Sequence, residues 1–227
     1  MSALHHFLFG IYPYIALAIF FAGSLIRFER EQYTWKSDSS QLLRRGQLRL
    51  GNNLFHFGVL ALFFGHLFGL LTPKEAYHAI GLTTEAKQML AIVAGSIFGI
   101  SGLLGLILLV HRRLAEVRIR KTSSRMDIFI LLWILATLAL GLSTVPISLG
   151  HPDGSVMVQL ANWAQHIVTF RGGAADYIVA VPLLYKIHLF FGMTMFLLFP
   201  FSRLVHVWSG FAAVGYAARP YQIVRGR

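Results

Sequence analysis

Four of the ten histidines lie within or at the edge of long apolar stretches of this 227-residue sequence: His56, His66, His188 and His206. Ionisable side chains are costly inside a membrane and usually have a function there. For one such histidine, a hydrogen bond between helices explains its presence as well as a ligand role does. A set of four favours metal ligation.

Paired imidazoles from two helices are what bis-histidine ligation of haem requires, with one ring on each side of each iron. The chain contains no cysteine, which excludes covalent c-type haem and thiolate metal sites. The apolar stretches contain no Asp or Glu, which disfavours a zinc or di-iron carboxylate site. We therefore predict two non-covalent haem b groups.

The elements that must position these side chains are long apolar segments. A helix needs about 20 apolar residues to cross the roughly 30 Å core of a bilayer, and five stretches of this sequence meet that length. We predict an all-α membrane protein, a single integral-membrane domain over 1–227, with spans at about 5–28, 52–72, 87–111, 126–149 and 182–207. The first span lacks the basic start of a signal peptide and is too long for one, so we expect it to be retained.

The net charge of +11 has a simple explanation in such a protein. Lys and Arg residues number six, two, six, two and four in the successive segments that follow the five spans. Because cytoplasmic loops are enriched in these residues, the alternation predicts an outside N-terminus and a cytoplasmic C-terminus. The charge is thus an orientation signal, and a nucleic-acid-binding surface is disfavoured.

This orientation pairs the histidines by depth. The second and fifth spans run in opposite directions, so His56 and His206 fall toward the cytoplasm, and His66 and His188 toward the outside. His188 and His206 are eighteen residues apart, or five full helical turns on one face, with a rise of about 27 Å. The rise from His56 to His66 is only about 15 Å. The two rises match if the helices are tilted or kinked at Pro200.

Glycines accompany these histidines. Such residues allow a porphyrin to approach the backbone, or allow two helices to pack closely, and both explanations stay open for Gly58, Gly65, Gly69 and Gly192. For the pair Gly95 and Gly99 we favour helix packing.

The longest loop, 150–182, contains a segment with helical periodicity. We predict a helix over 155–170, lying along the outer surface. We expect the pair Gly172 and Gly173 to end it.

Several segments together carry a resemblance to a known family: IYPYIA at 11–16, QYTW at 32–35, NLFH at 53–56, GH at 65–66, LTP at 71–73, WAQ at 163–165 and HLFFGMTMFLLFPFSRLVHVW at 188–208. The chain resembles the gamma subunit family of the membrane-bound respiratory nitrate reductases, which are di-haem cytochromes b. The resemblance runs from near the N-terminus to the end.

The resemblance implies that His56 and His206 bind an inner haem and that His66 and His188 bind an outer haem. It implies partners, a cytoplasmic iron–sulfur subunit and a molybdenum-containing catalytic subunit, in the bacterial cytoplasmic (inner) membrane. It implies quinol oxidation near the outer haem, and Lys87 matches a lysine associated with quinol binding in the family. A lysine that snorkels to the interface is an equally good explanation of Lys87.

The resulting hypothesis is a quinol-oxidising anchor. Quinol docks between the second and third spans, and its electrons pass to the outer haem, the inner haem and then the iron–sulfur subunit. Arg112, Arg113 and Arg203 neutralise the inner-haem propionates, although the orientation signal alone explains them equally well. The alternatives are a cytochrome b of another respiratory complex, of formate dehydrogenase or hydrogenase type, and a haem-free proton-coupled transporter.

Overall fold

The computed structural model describes residues 2–31 and 45–209, and their regular structure is entirely helical. Five helical segments are long and apolar enough to cross a membrane: Ala3–Arg30, Gly46–Leu71, Thr84–Ala115, Arg125–Leu149 and Leu183–Phe201. The prediction of an all-helical protein with five spans is therefore confirmed, and these segments are called the first to fifth spans below. The QYTW segment and parts of two basic segments, 32–44 and 210–227, lie outside the described residues.

The helices within and between these spans are Ala3–His6, Tyr12–Glu31, Arg45–Leu71, Lys74–Ala79, Thr84–Ala115, Val117–Lys121, Arg125–Ser143, Val145–Leu149, Ser155–Val168 and Leu183–Leu198. A π-helical turn, Phe7–Ile11, lies within the first span. Within the described residues, short 3-10 turns cover Ala174–Ile178, Phe199–Phe201 and Arg203–Val205.

The second and third spans cross in close contact because glycines face each other. A Cβ atom added to Gly58 would lie 2.7 Å from the Cα of Gly102, and one added to Gly105 would lie 2.7 Å from the carbonyl oxygen of Gly51. Gly58 therefore serves helix packing and not the approach of a cofactor. Of the two glycines expected to pack, Gly99 does, against Leu142, whereas a Cβ on Gly95 would meet nothing within 4 Å.

The helix predicted in the long loop is present as Ser155–Val168. It ends before Gly172 and Gly173, contrary to the expectation, because Phe170 takes up the left-handed conformation with φ 56°. Trp163 and Ile167 on this helix are buried, and the Trp163 Nε1–H donates to the Phe9 carbonyl at 2.8 Å. Phe9 lies in the π-helical turn Phe7–Ile11 of the first span, where the helix hydrogen bonds are shifted by one residue.

The fifth span is not one helix to residue 207, as the sequence predicts. The α-helix ends at Leu198, a 3-10 turn follows, and Ser202 is extended with φ −119° and ψ 176°. Arg27 on the first span donates two hydrogen bonds to this bend, to the carbonyls of Pro200 at 2.7 Å and Ser202 at 2.9 Å. The kink expected at Pro200 is thus present, and His206 follows it on a separate segment.

The order in which the spans pack matters for the histidines. The second span packs on the third, the third on the fourth, the fourth on the fifth and the fifth on the first. Among the described helices, the second and fifth spans are not closely packed on each other. These two spans carry His56, His66 and His188, and His206 follows the fifth span after its bend.

Candidate functional site

The first histidine pair joins the cytoplasmic ends predicted for the second and fifth spans. The ring centroids of His56 and His206 are 6.2 Å apart, and the ring planes are inclined by 72°. Both side chains are half-buried. Two residues that are 150 positions apart in sequence thus lie side by side, as their predicted depths require.

The second pair joins His66, on the same helix as His56, to His188, on the helix that precedes the bend before His206. The ring centroids of His66 and His188 are also 6.2 Å apart, with an interplanar angle of 48°. His188 is half-buried, whereas His66 is exposed in the bare chain. The structure therefore groups the four histidines as the sequence analysis grouped them.

The protonation of all four rings follows from their hydrogen bonds. The Nδ1 atoms of His56 and His66 lie 2.9 and 2.7 Å from the carbonyls four residues earlier. Those of His188 and His206 lie 3.1 and 2.7 Å from the carbonyls of Thr137 and Arg203. A carbonyl oxygen only accepts, so each Nδ1 carries a proton, and in the neutral ring Nε2 is the nitrogen left to bind a metal.

This tautomer is the one a metal-binding imidazole with Nε2 as its ligand atom needs. It is not diagnostic alone, because His151 and His166 make the same Nδ1 bond to a carbonyl four residues earlier. What separates the four is that each lies opposite another histidine ring, whereas the ring partner of His166 is Tyr177. Metal–imidazole bonds of about 2.0–2.1 Å place the centroids of two rings on opposite sides of one metal about 6 Å apart. Both pairs fit that spacing.

The glycines near the outer pair differ from Gly58. Cβ atoms added to Gly65, Gly69 or Gly192 would meet no other atom within 4 Å. The chain thus leaves open space beside His66 and after His188. A flat cofactor such as haem requires open space beside its ligands, and these three glycines leave that space.

Lys87 lies in the first turn of the third span, because that helix begins at Thr84 with Thr83 as its N-cap, three residues before the predicted start at 87. Its side chain is buried, with 8% of its surface exposed, and its Nζ lies 4.0 Å from the centroid of the Tyr77 ring. A lysine in the first turn of a helix opposes the helix dipole. Burial distinguishes this residue from a lysine that snorkels into the interface.

The basic residues near the inner pair make contacts within the protein. Arg113 and Arg203 lie 3.6 and 3.8 Å from the carboxylate oxygens of Asp127, and Arg112 is buried. Asp127 also forms a capping box with Ser124 at the start of the fourth span. Asp127 and Arg27 were not predicted to act near the inner pair, since all that the sequence shows for either is an ionisable side chain at the end of a span.

Five apolar helices with two facing histidine pairs at two levels define an integral membrane protein of the helical-bundle class. The sequence matches the nitrate reductase gamma subunit family over residues 5–227. This chain belongs to that family. Of the respiratory complexes considered, the nitrate reductases are therefore the ones it matches.

Curated relatives agree along the whole chain. It is 49% identical to the respiratory nitrate reductase 1 gamma chain of Escherichia coli K12 over 227 residues, which is all of both chains. It is 50% identical to the respiratory nitrate reductase 2 gamma chain of the same organism, over 99% of this chain and 98% of that one. It is 38% identical to the nitrate reductase gamma chain of Bacillus subtilis 168, over 97% of each. These relatives are subunits of oxidoreductase complexes.

Proposed function

We propose that this chain is the quinol-oxidising, di-haem b membrane anchor of a respiratory nitrate reductase in the bacterial cytoplasmic membrane. It would pass electrons from quinol to a cytoplasmic iron–sulfur subunit and on to a molybdenum-containing subunit that reduces nitrate. The observation that carries the proposal is the presence of two facing histidine pairs, each with centroids 6.2 Å apart. The family match supports the choice of nitrate reductase.

His56 and His206 would hold the inner haem, and His66 and His188 the outer haem. Haem b supplies a centre that accepts and releases one electron at a time. The protein orients each imidazole by a hydrogen bond from Nδ1 to a carbonyl. These bonds raise the basicity of the ligand nitrogen and fix the ring plane.

Lys87 would bind quinol at the outer side of the bundle. Its ammonium group is desolvated above the Tyr77 ring, and a desolvated cation donates a strong hydrogen bond to an oxygen atom. Gly65 and Gly69 leave open space on the outer half of the second span, which supports docking near His66.

In the predicted orientation, quinol oxidation at the outer haem would move electrons across the membrane from the outside to the cytoplasm. Quinol protons are released outside while electrons move inward, against a membrane potential that is negative inside. Moving one charge across 100 mV involves about 2.3 kcal/mol. The reaction would therefore conserve energy as a membrane potential.

The test uses the purified complex of this chain with its partner subunits. We expect dithionite to develop two b-type absorption bands, quinol to develop them without dithionite, and nitrate to reverse them. A complex without b-type absorption bands would contradict the proposal and would favour the haem-free transporter. Bands that quinol does not affect would leave the haem assignment standing and remove the quinol-oxidising role.

A further inference from the structure

His188 differs from the other three facing histidines in the origin of its hydrogen bond. His56 and His66 donate to carbonyls four residues earlier, on their own helix, and His206 donates to Arg203 three residues earlier. His188 donates to Thr137, on the fourth span, at 3.1 Å. Its orientation therefore depends on a helix that contributes no histidine to either pair.

Gly141 makes this contact possible. A side chain in a helix leans toward the N-terminus and covers the preceding turn, so a side chain at 141 would lie over the carbonyl of Thr137. A Cβ atom there would be 2.9 Å from Cε1 of His188 and 3.5 Å from its Nδ1. Real Cβ contacts are essentially never that short, so any residue other than glycine would displace the imidazole.

A second set of contacts fixes the fourth span against the fifth near this point. The Trp133 and Phe191 rings stack with centroids 4.3 Å apart and planes inclined by 10°. The Trp133 Nε1–H also donates to the Phe191 carbonyl at 3.1 Å. Phe191 lies three residues after His188, so this contact holds the imidazole in register with the Thr137 carbonyl.

We infer that Thr137 and Gly141 are positioning residues for the outer histidine pair, with Trp133 setting their register against His188. The carbonyl of Thr137 fixes the plane of the His188 ring, and Gly141 supplies the room that the ring needs. The inference rests on the proposed function, because it assigns the ring orientation to an outer-haem ligand. In the inner pair, by contrast, the Nδ1–H of His206 donates to a carbonyl of its own segment, that of Arg203.

Displacing the His188 ring is expected to change the electronic properties of the outer haem, and not only the stability of the fold. A hydrogen bond from Nδ1 raises the basicity of an axial imidazole, and a more basic ligand favours the ferric state. Displacing the ring in Gly141→Ala weakens this bond. The outer haem is then expected to have a higher midpoint potential and a changed low-spin electron paramagnetic resonance signal, with the inner haem unchanged.

The experiment compares the assembled complexes of the wild type, Gly141→Ala and Gly95→Ala. Gly95 is the matched control, because a Cβ there would meet nothing within 4 Å. His66→Ala and His56→Ala assign the two signals. A shifted or lost outer signal in Gly141→Ala, with a wild-type inner signal and a silent Gly95→Ala, is the expected result.

An outer-haem signal and potential identical to the wild type in Gly141→Ala would overturn the inference. If that variant does not assemble, Trp133→Phe decides, since it keeps the ring stack and removes only the donation to Phe191. We expect a smaller shift of the outer signal alone, and no shift would overturn the inference. A wild-type complex without b-type haem would instead overturn the proposed function itself.

Discussion

The imidazoles of His66 and His188 face each other with their centroids 6.2 Å apart, although they belong to two spans that do not pack closely within the described structure. This distance is too long for a hydrogen bond from a nitrogen of one ring to a nitrogen of the other, which would bring the two centroids closer together. It suits one metal between them, at about 2.0–2.1 Å from each nitrogen. The inner pair repeats the same distance.

Arg27 is predicted to hold the inner pair together. Its guanidinium donates to the carbonyls of Pro200 and Ser202, and each hydrogen bond from a charged donor contributes about 1.5–3 kcal/mol. Arg27→Ala should loosen the bend before His206 and reduce the inner-haem content selectively, measured as the ratio of the two b-type bands. Arg30→Ala, an exposed arginine on the same helix, is the control. Equal loss of both haems, or of neither, would speak against this role.

We predict that a side chain added at Gly58, where the second span contacts Gly102, lowers the stability of the folded protein. Gly58→Ala places a methyl group 2.7 Å from the Cα of Gly102, where only backbone can move. Overpacking of this kind typically costs about 1–3 kcal/mol. The purified Gly58→Ala variant should therefore unfold in detergent at a lower temperature than the Gly95→Ala variant. Gly95→Ala adds the same methyl group in open space. Equal melting temperatures for the two variants would disprove the close crossing.

Lys87 is predicted to matter for quinol oxidation and not for haem binding. A hydrogen bond from a charged donor is worth about 1.5–3 kcal/mol, which corresponds to roughly tenfold or more in rate. Lys87→Ala should slow quinol-dependent nitrate reduction by at least about tenfold, with both b-type bands retained. Lys186→Ala is the control, since Lys186 donates to the Val179 carbonyl near the start of the fifth span. A rate equal to the wild type would end the role assigned to Lys87.

The orientation can be tested directly because the chain contains no cysteine. Arg171 and Lys121 are exposed and lie in loops predicted to face opposite sides of the membrane. A membrane-impermeant maleimide should label Arg171→Cys in intact cells, and Lys121→Cys only after the cells are opened. The opposite pattern would reverse the predicted topology and the direction of electron flow with it.

The pairing of the histidines was accessible from the sequence, because apolar length, helical rise and basic-loop counts are properties of local sequence. The bend after Leu198 was accessible only in part. Pro200 predicts a kink. The bend is also held by the hydrogen bond from Arg27 to the Pro200 carbonyl, and Arg27 lies more than 170 positions away in the sequence. The sequence therefore predicted one continuous span to residue 207, where the structure has a helix, two short 3-10 turns and a further helical segment that begins at His206.

Glycine roles were the least accessible, because one residue type permits several arrangements. Gly58 packs against a helix, Gly65 faces open space and Gly141 makes room for a histidine ring. Which of these applies depends on the neighbouring helix, and the sequence does not state it. The end of the Ser155–Val168 helix was misplaced for a related reason, since a phenylalanine and not a glycine takes the left-handed conformation there.

The most direct test of the account replaces each facing histidine in turn and records the reduced-minus-oxidised spectrum of the complex. We predict that His66→Ala and His188→Ala lose one and the same b-type haem. We predict that His56→Ala and His206→Ala lose the other, and that the control His151→Ala keeps both. Retention of both haems after any one of the four replacements, or loss of different haems by the two members of a pair, would contradict the account.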